Sequence, residues 1–321
     1  MPEINSKIIA SGSYLPKKIL TNDELAKTVD TSDEWIFSRS GISQRHIAAE
    51  GEYTSDLGYQ AAVKALENCP IDKEQIDVII VATSTPDNIF PSTATKIQHK
   101  LGLKNCYAFD LQAVCSGFVY GLVVANGLIK SGSAQNILLI GAETLSRIVD
   151  WQDRGSCVLF GDGAGAVVLS ANKKDDSGII SHALFSDGEY YDILKTNGGP
   201  SMTGGEGKIT MEGKEVFKHA VGKMSESVVI ALKKAGLELE DVNLLIPHQA
   251  NQRIISAVGK KLGLSNDKVV STVKNHANTS AASIPLALDY ACKNNLISNN
   301  DIIVFEALGA GLTWGTVIYK W

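Results

Sequence analysis

The chain is short of cysteine, of charge and of long apolar runs. Its 321 residues include five cysteines, Cys69, Cys106, Cys115, Cys157 and Cys292. An odd, scattered set without a CxxC pair excludes a disulfide framework and a zinc ribbon, and reads as free thiols in a reducing compartment. HxxxH and clustered Asp/Glu are absent as well, so no metal site is expected. The N-terminal stretch MPEINSKIIASGSYLPKK lacks the apolar core of a signal peptide. The most apolar stretch, GFVYGLVVANGLIKSG (117–132), is interrupted by Asn126 and Lys130 and is too short to cross a bilayer. A cytoplasmic protein that does not enter the membrane is expected. A formal net charge of −5 lacks the basic excess of a general nucleic-acid binder. Hydrophobic residues at 44% and charged residues at 20% exclude a disordered or collagenous chain. Glycine is what the chain has in excess: 29 residues, about 9% against a usual ~7%.

The length suggests two units of about 150 residues or one large α/β domain. Short β-branched runs alternate with helical patterns. Strands are expected over 76–84, 105–112, 136–144 and 156–162 in the first half, and over 242–249, 268–274 and 301–308 in the second. Runs such as VIIVA and IIVF are apolar on both faces, the mark of strands buried between layers. Helices are expected at 54–68, 117–131, 215–235 and 251–263, giving an α/β protein.

The order of elements repeats. Asp241 follows Asp77 by 164 residues, Leu262 follows Leu101 by 161, and Asn278 follows Cys115 by 163. NILLIGAE (136–143) is echoed by DIIVFEAL (301–308). Such self-similarity points to duplication. The halves are expected at 1–172 and 173–321, joined through the polar stretch ANKKDDSG (171–178). Cys115 and Asn278 then stand at equivalent strand-to-helix corners near a pseudo-twofold axis. The glycine-rich loop 186–208 is long enough to act as a lid or binding loop.

Cys115 opens the apolar helix that starts near residue 117. Unpaired amides and the macrodipole at a helix N-terminus lower a thiol pKa and favour nucleophilic use. A buried packing cysteine is the commoner meaning of that corner alone. His248, in LLIPHQAN, reads equally as a core or cap histidine, and Asn278, in HANTSAAS, as an N-cap. His276 reads as structural. Together, two neutral donors beside a thiol can hold a developing oxyanion. GDGAGA (161–166) fits GxGxxG/A, yet VVLS follows it as a strand and not a helix. The dinucleotide reading therefore fails, and a tight strand-turn-strand element is expected. GGEGKIT (204–210) lacks the spacing of a P-loop.

Several segments, in this order, resemble the thiolase-like condensing enzymes, most closely the β-ketoacyl-[acyl carrier protein] synthase III family. They are TSDEWIFSRSGISQRH (31–46), FPSTATKIQ (90–98), AVCSGF (113–118), DRGSCVLFGDGAGA (153–166), MEGKEVFKHA (211–220), PHQANQRII (247–255), NTSAASIP (278–285) and EALGAGLTWG (306–315). The resemblance covers almost the whole chain. It implies a thiolase-like fold of two pseudo-symmetric halves in a five-layered α-β-α-β-α sandwich. It also implies condensation of an acyl-coenzyme A primer, acetyl-coenzyme A first among them, with malonyl-acyl carrier protein, without a cofactor. A related condensing or acyl-transfer reaction of a secondary-metabolite or signal pathway is the alternative.

Carried over by position, Cys115 is the acylated nucleophile, with His248 and Asn278 promoting decarboxylation. The elongating relatives use a second histidine where Asn278 stands. The resemblance implies an oxyanion hole formed by the backbone amides of Cys115 and Ala310; alanine stands at 310 and at 277 where the family often has glycine. By the same resemblance, Trp35 and Arg154 are expected to sandwich the adenine of coenzyme A, with Arg39 near its phosphates and Asn251 at the pantetheine arm. Acyl carrier protein is acidic, so its docking site is expected on Lys218, Arg253, Lys260 and Lys261 together with the Gln249-Ala250-Asn251-Gln252 segment. Phe90 resembles a residue that reaches the acyl pocket of a second copy, which implies a homodimer.

Overall fold

The computed structural model describes residues 4–205 and 207–321. The first three residues of the N-terminal stretch and Glu206 of the 186–208 loop lie outside them. Two runs that are apolar on both faces set the architecture. Val78–Ala82 (β4) and Leu244–Pro247 (β11) are buried at every position, as parallel strands covered on both sides must be. β4 sits between two parallel neighbours in a sheet ordered β1 (Asn5–Tyr14), β7 (Asp162–Asn172), β6 (Asn136–Thr144), β4, β5 (Tyr107–Leu111). β1 and β7 join it antiparallel. The second sheet is ordered β11, β12 (Ile302–Gly309), β13 (Thr313–Lys320), β8 (Gly178–Ser186), with β11 and β12 parallel. Two small antiparallel pairs stand outside these sheets: β2 (Lys18–Thr21) with β3 (Gln44–Ile47), and β9 (Leu194–Thr196) with β10 (Ile209–Met211).

Helices complete five layers. α3 (Thr54–Glu67) and α4 (Thr93–Leu101) cover the outer face of the first sheet around Ile79, Val81, Ile140 and Val168. α7 (Gly213–Ala235) and α8 (Gln252–Lys261) cover the outer face of the second around Val228, Val258, Val304 and Ile318. Between the sheets lie α5 (Gly117–Lys130) and α10 (Ser283–Lys293), sharing a core of Phe118, Leu122, Leu288, Ile80 and Phe305. A helix between two sheets must be apolar nearly all round, which accounts for the composition of α5. Its one polar interior residue, Asn126, accepts a hydrogen bond from Ser6 Oγ at 2.8 Å. The short helices α1 (Asn22–Leu25), α2 (Asp33–Ser40), α6 (Arg154–Cys157) and α9 (Val273–His276) belong to the connecting segments.

Three expected elements differ. The 156–162 run is no strand: Arg154–Cys157 is the helical turn α6. Asp153 caps it, accepting from Gly155 N at 2.8 Å and from Ser156 Oγ at 2.6 Å, and the strand begins only at Asp162. The 268–274 run makes a single bridge, Val269 to Leu245, before turning into α9. The Gln249 side chain takes over the backbone groups that a ladder would use, receiving Thr272 N at 2.7 Å and donating to Val270 O at 3.2 Å. Within GDGAGA, residues 162–166 are a continuous part of β7 and make no turn, with Gly161 just ahead of the strand. Its glycines serve close packing: a Cβ on Gly165 would lie 2.7 Å from Leu286 N and from Pro285 in α10.

Candidate active site

Three chain corners meet where the two sheets end. After β5 the chain makes a tight 3-10 turn over Val114–Ser116, which places Cys115 just ahead of α5. Val114 takes a left-handed φ of 47° to do so, a strained choice for a β-branched residue. The turn is pinned to β13, Ser116 Oγ donating to Thr313 O at 2.8 Å and Thr313 Oγ1 to Ala113 O at 3.1 Å. A side chain at Gly309 would fall 2.8 Å from Cys115 N, and one at Gly141 would fall 2.3 Å from Ala281 O. Part of the glycine excess is thus spent where each half receives a corner of the other.

His248 follows β11, its N–H donating to Glu306 O at 2.8 Å and its Nδ1 lying 2.7 Å from Ser283 Oγ. Asn278 is held by its backbone, N–H to Leu159 O and C=O from Gly161 N, both at 2.9 Å. Its Oδ1 accepts from Ser280 N at 2.9 Å, which leaves the amide Nδ2 as the donor available to the site. Ala277 beside it has φ 58° and ψ −164°, a region that glycine fills at lower cost; Ala310 has no positive φ. Cys115, His248, Asn278 and Ala310 all line one cavity of about 2100 Å³.

Burial dominates the electrostatics. It pushes the Cys115 thiol up to about 12; the Ser280 hydroxyl opposes this and Glu143 adds to it. The expectation of a lowered thiol pKa is therefore corrected: a helix N-terminus is outweighed when the sulfur loses its water. Burial likewise holds His248 down to about 3, so its imidazole is neutral. The site rests uncharged at its centre, with a thiol and two neutral donors.

Sequence reasoning missed four polar neighbours. Glu143, fully buried on β6, receives Ser84 N at 3.1 Å, Ser84 Oγ at 2.8 Å and Thr85 Oγ1 at 2.7 Å. Ser280 Oγ is buried without a hydrogen bond of ordinary geometry, yet it lowers the pKa of both Cys115 and Glu143. Ser283 sits against His248. Glu306 on β12 has both carboxyl oxygens buried and unpartnered among the described residues, and burial pushes its pKa up to about 8. The only sequence signal for these was position in an already recognised segment.

Glu306 carries a stability prediction. An unfolded glutamic acid loses its proton near pH 4.5, whereas the folded chain keeps this one to about 8. Its contribution is fully present below pH 4.5 and is lost as pH rises toward 8. Glu306→Gln removes that dependence. The variant is expected to gain on the order of 3 kcal/mol over the parent at pH 7.5 and almost nothing at pH 4.5, read from urea midpoints at both pH values. Equal midpoint differences at the two pH values would show that Glu306 does not titrate abnormally.

Several of the other expected residues line the same cavity, Phe90 and Asn251 among them, whereas Arg154 does not. Trp35 and Arg39 line it. The Trp35 ring has the Arg39 and Arg154 guanidinium carbons each 4.8 Å from its centroid, the contact distance of cation–π stacking. Asn251 caps α8, its Oδ1 accepting from Ile254 N at 3.0 Å, and also lines the cavity. The 186–208 loop is partly regular, a 3-10 segment over Gly188–Ile193 leading into β9, and Gly198, Gly199 and Pro200 line the cavity. Phe90 stands 82% exposed at a loop tip beside Ile89, 73% exposed.

On α8, Ile254, Ile255 and Val258 are buried while Arg253, Lys260 and Lys261 are exposed, and Lys218 on α7 is exposed too. Arg253 lies over the Phe217 ring at 5.3 Å. Gln249 departs from the expected docking surface: it is 1% exposed and its amide is bonded to Pro247 O, Val270 O and Thr272 N. It cannot touch a docked protein, because both ends of its amide are committed to the backbone. Ala250 and Gln252 are half-buried. Among the described residues, no three His, Cys, Asp or Glu side chains gather as a metal site, and no helix is long and apolar enough to cross a membrane.

Comparison with known proteins agrees with this geometry. The family 3-Oxoacyl-[acyl-carrier-protein (ACP)] synthase III matches residues 109–188, and its C-terminal counterpart matches residues 232–321. A Wolbachia pipientis protein named β-ketoacyl-[acyl-carrier-protein] synthase III is 58% identical over 314 residues, covering 98% of both chains. An Ehrlichia canis protein of the same name is 55% identical, covering 98% of this chain and 99% of its own. The crystal structure of the Aquifex aeolicus 3-oxoacyl-[acyl-carrier-protein] synthase III superimposes with a TM-score of 0.94 at 48% identity, over 98% of this chain and all of that one. Full-length identity of this order, on the same five layers, places the chain in the β-ketoacyl-[acyl-carrier-protein] synthase III family of condensing enzymes.

Proposed function

We propose that this enzyme joins a short acyl group from acyl-coenzyme A, acetyl in the first instance, to malonyl-acyl carrier protein, giving 3-oxoacyl-carrier protein as the initiation step of fatty acid synthesis. The observation that carries the reading is the convergence of a buried thiol and two neutral donors in one cavity. Cys115 Sγ attacks the thioester carbonyl, and coenzyme A leaves with the thiol proton. Amides of Cys115 and Ala310 meet the tetrahedral oxyanion. Malonyl-carrier protein then loses carbon dioxide, and the enolate oxygen is met by His248 Nε2–H and Asn278 Nδ2–H. The enolate carbon attacks the acyl-cysteine, the C–S bond breaks, and Cys115 regains a proton from solvent. Neutral donors suit this chemistry, because they stabilise charge that exists only in the transition state and the enolate.

Trp35, Arg39 and Arg154 are read as the adenine and phosphate contacts of coenzyme A, and Asn251 as a pantetheine contact. The exposed Arg253, Lys260, Lys261 and Lys218 are read as the dock for an acidic carrier protein, which an acidic enzyme must attract through a local basic surface. A homodimer is supported by β5, the end strand of its sheet, and by the exposed apolar tip at Ile89 and Phe90; open edges and apolar tips of this kind are normally covered. The halves are taken to divide at residue 172. No cofactor is required by these steps. The test is radiolabelled carbon dioxide release from malonyl-carrier protein in the presence of acetyl-coenzyme A. Release coupled to 3-oxobutyryl-carrier protein is expected, and no release with acetyl-, isobutyryl- or hexanoyl-coenzyme A would overturn the reading.

A further inference from the structure

The imidazole of His248 can donate to an enolate only if its proton is on Nε2, and neutrality alone does not decide this. Ser283 is the first residue of α10, fully inside the protein at 1% exposure. Its Oγ lies 3.2 Å from Gln249 N and 2.7 Å from His248 Nδ1. A backbone N–H can only donate, so the Gln249 contact uses Oγ as acceptor. The single hydroxyl proton then has one acceptor within reach among the described residues, Nδ1 of His248. When the hydroxyl donates there, Nδ1 is the unprotonated nitrogen and the ring proton stays on Nε2. We propose that Ser283 is a positioning residue that fixes His248 in the Nε2–H tautomer and so supplies one of the two enolate donors.

Three further observations agree. His248 N–H is bonded to Glu306 O at 2.8 Å, so the ring is anchored at its backbone as well as at Nδ1. Gln249, whose N–H directs the Ser283 hydroxyl, is itself locked through Pro247 O and Thr272 N. Five residues before Ser283, Asn278 receives the same treatment, its Oδ1 taken by Ser280 N so that Nδ2 is left over. One short segment, 278–283, therefore decides which hydrogens both donors present. The reverse tautomer would put the hydroxyl proton into a buried place without an acceptor, which is costly.

The inference rests on the reading of His248 as an enolate donor, and the experiment separates the two. Histidine is labelled with nitrogen-15 in the full-length protein, and His248→Ala assigns its ring among the six histidines. The parent is expected to show Nε2 as the protonated nitrogen at pH 7, and Ser283→Ala to show a mixture or the opposite tautomer. In half-reactions, Ser283→Ala is expected to acylate Cys115 within about threefold of the parent and to decarboxylate malonyl-carrier protein ~10- to 100-fold more slowly. Ser283→Thr, which retains a hydroxyl, should restore most of the loss. A protonated Nδ1 in the parent, or Ser283→Ala at parental decarboxylation rate while His248→Ala has lost it, would overturn the role of Ser283 alone. Retention of decarboxylation by His248→Ala would instead overturn the reading of His248. Equal losses in both half-reactions with an unchanged tautomer would make Ser283 a packing residue and would also overturn the inference.

Discussion

Cys115→Ala is expected to abolish acyl loading and to lower condensation on the order of ten-thousand-fold or more, the scale seen when a covalent nucleophile is removed. The measurement is mass spectrometry of the intact chain after acetyl-coenzyme A: the parent gains one acetyl group on the peptide containing Cys115, and the variant gains none. The remaining thiols make the control meaningful. Cys69, Cys106 and Cys292 are partly accessible and Cys157 is buried, so labelling that persists in the variant would point to a different nucleophile. The protonation state adds a second readout. Burial keeps Cys115 a thiol to about pH 12, whereas an ordinary cysteine ionises near 8.5. Alkylation of the resting enzyme by iodoacetamide should therefore be slow at pH 7 and still rising above pH 9. A plateau below pH 8 would mean that the helix N-terminus outweighs desolvation after all. The sign for stability follows from the same shift: the unfolded chain loses this proton first, so the contribution of Cys115 falls as pH climbs above about 9.

The second large effect divides the reaction. His248→Ala and Asn278→Ala are each expected to leave acylation within a few-fold of the parent and to slow decarboxylation by ~100- to 1000-fold, the usual loss for one donor to a developing oxyanion. Because both donors meet one oxygen, the double variant should lose less than the product of the single losses. Asn278→Asp should be worse than Asn278→Ala, since a carboxylate offers an acceptor where a donor is needed. Single-turnover rates of the two half-reactions read all of these, and a variant that loses acylation but keeps decarboxylation would reverse the assignments. The depressed pKa of His248, about 3, adds a pH signature. Decarboxylation should show no inflection near pH 6.5, where an ordinary imidazole titrates. The folded chain refuses a proton that the unfolded chain accepts, so the stability contribution of His248 is present above pH 6.5 and is lost as pH falls toward 3.

Much of this was legible in the order of residues. The two-sided apolar runs found β4, β6, β11 and β12. The offsets of about 163 residues found two equivalent corners, and the fold brings Cys115 and Asn278 from those corners to one cavity. The failures share one cause. At 156–162 and 268–274 the local pattern favoured a strand, but Asp153 and Gln249 supply side-chain partners to the backbone and the chain turns instead. At GDGAGA the glycines suggested a turn, whereas Gly163 and Gly165 thin a strand against α10. In each case the competing partner lay outside the window that the pattern could see.

The sequence by itself determined the class of fold and the duplication and singled out Cys115, His248 and Asn278 as candidates, because periodicity and residue type are local properties. Their electrostatic states were decided only by tertiary structure. A helix N-terminus argues for a thiolate at Cys115, and only the depth of the site makes it a thiol. The proton of His248 is placed by Ser283, 35 residues away, and Glu143 is solvated by a loop 58 to 59 residues earlier. Desolvation and hydrogen bonding act through space, so they exist only once distant segments have been packed together.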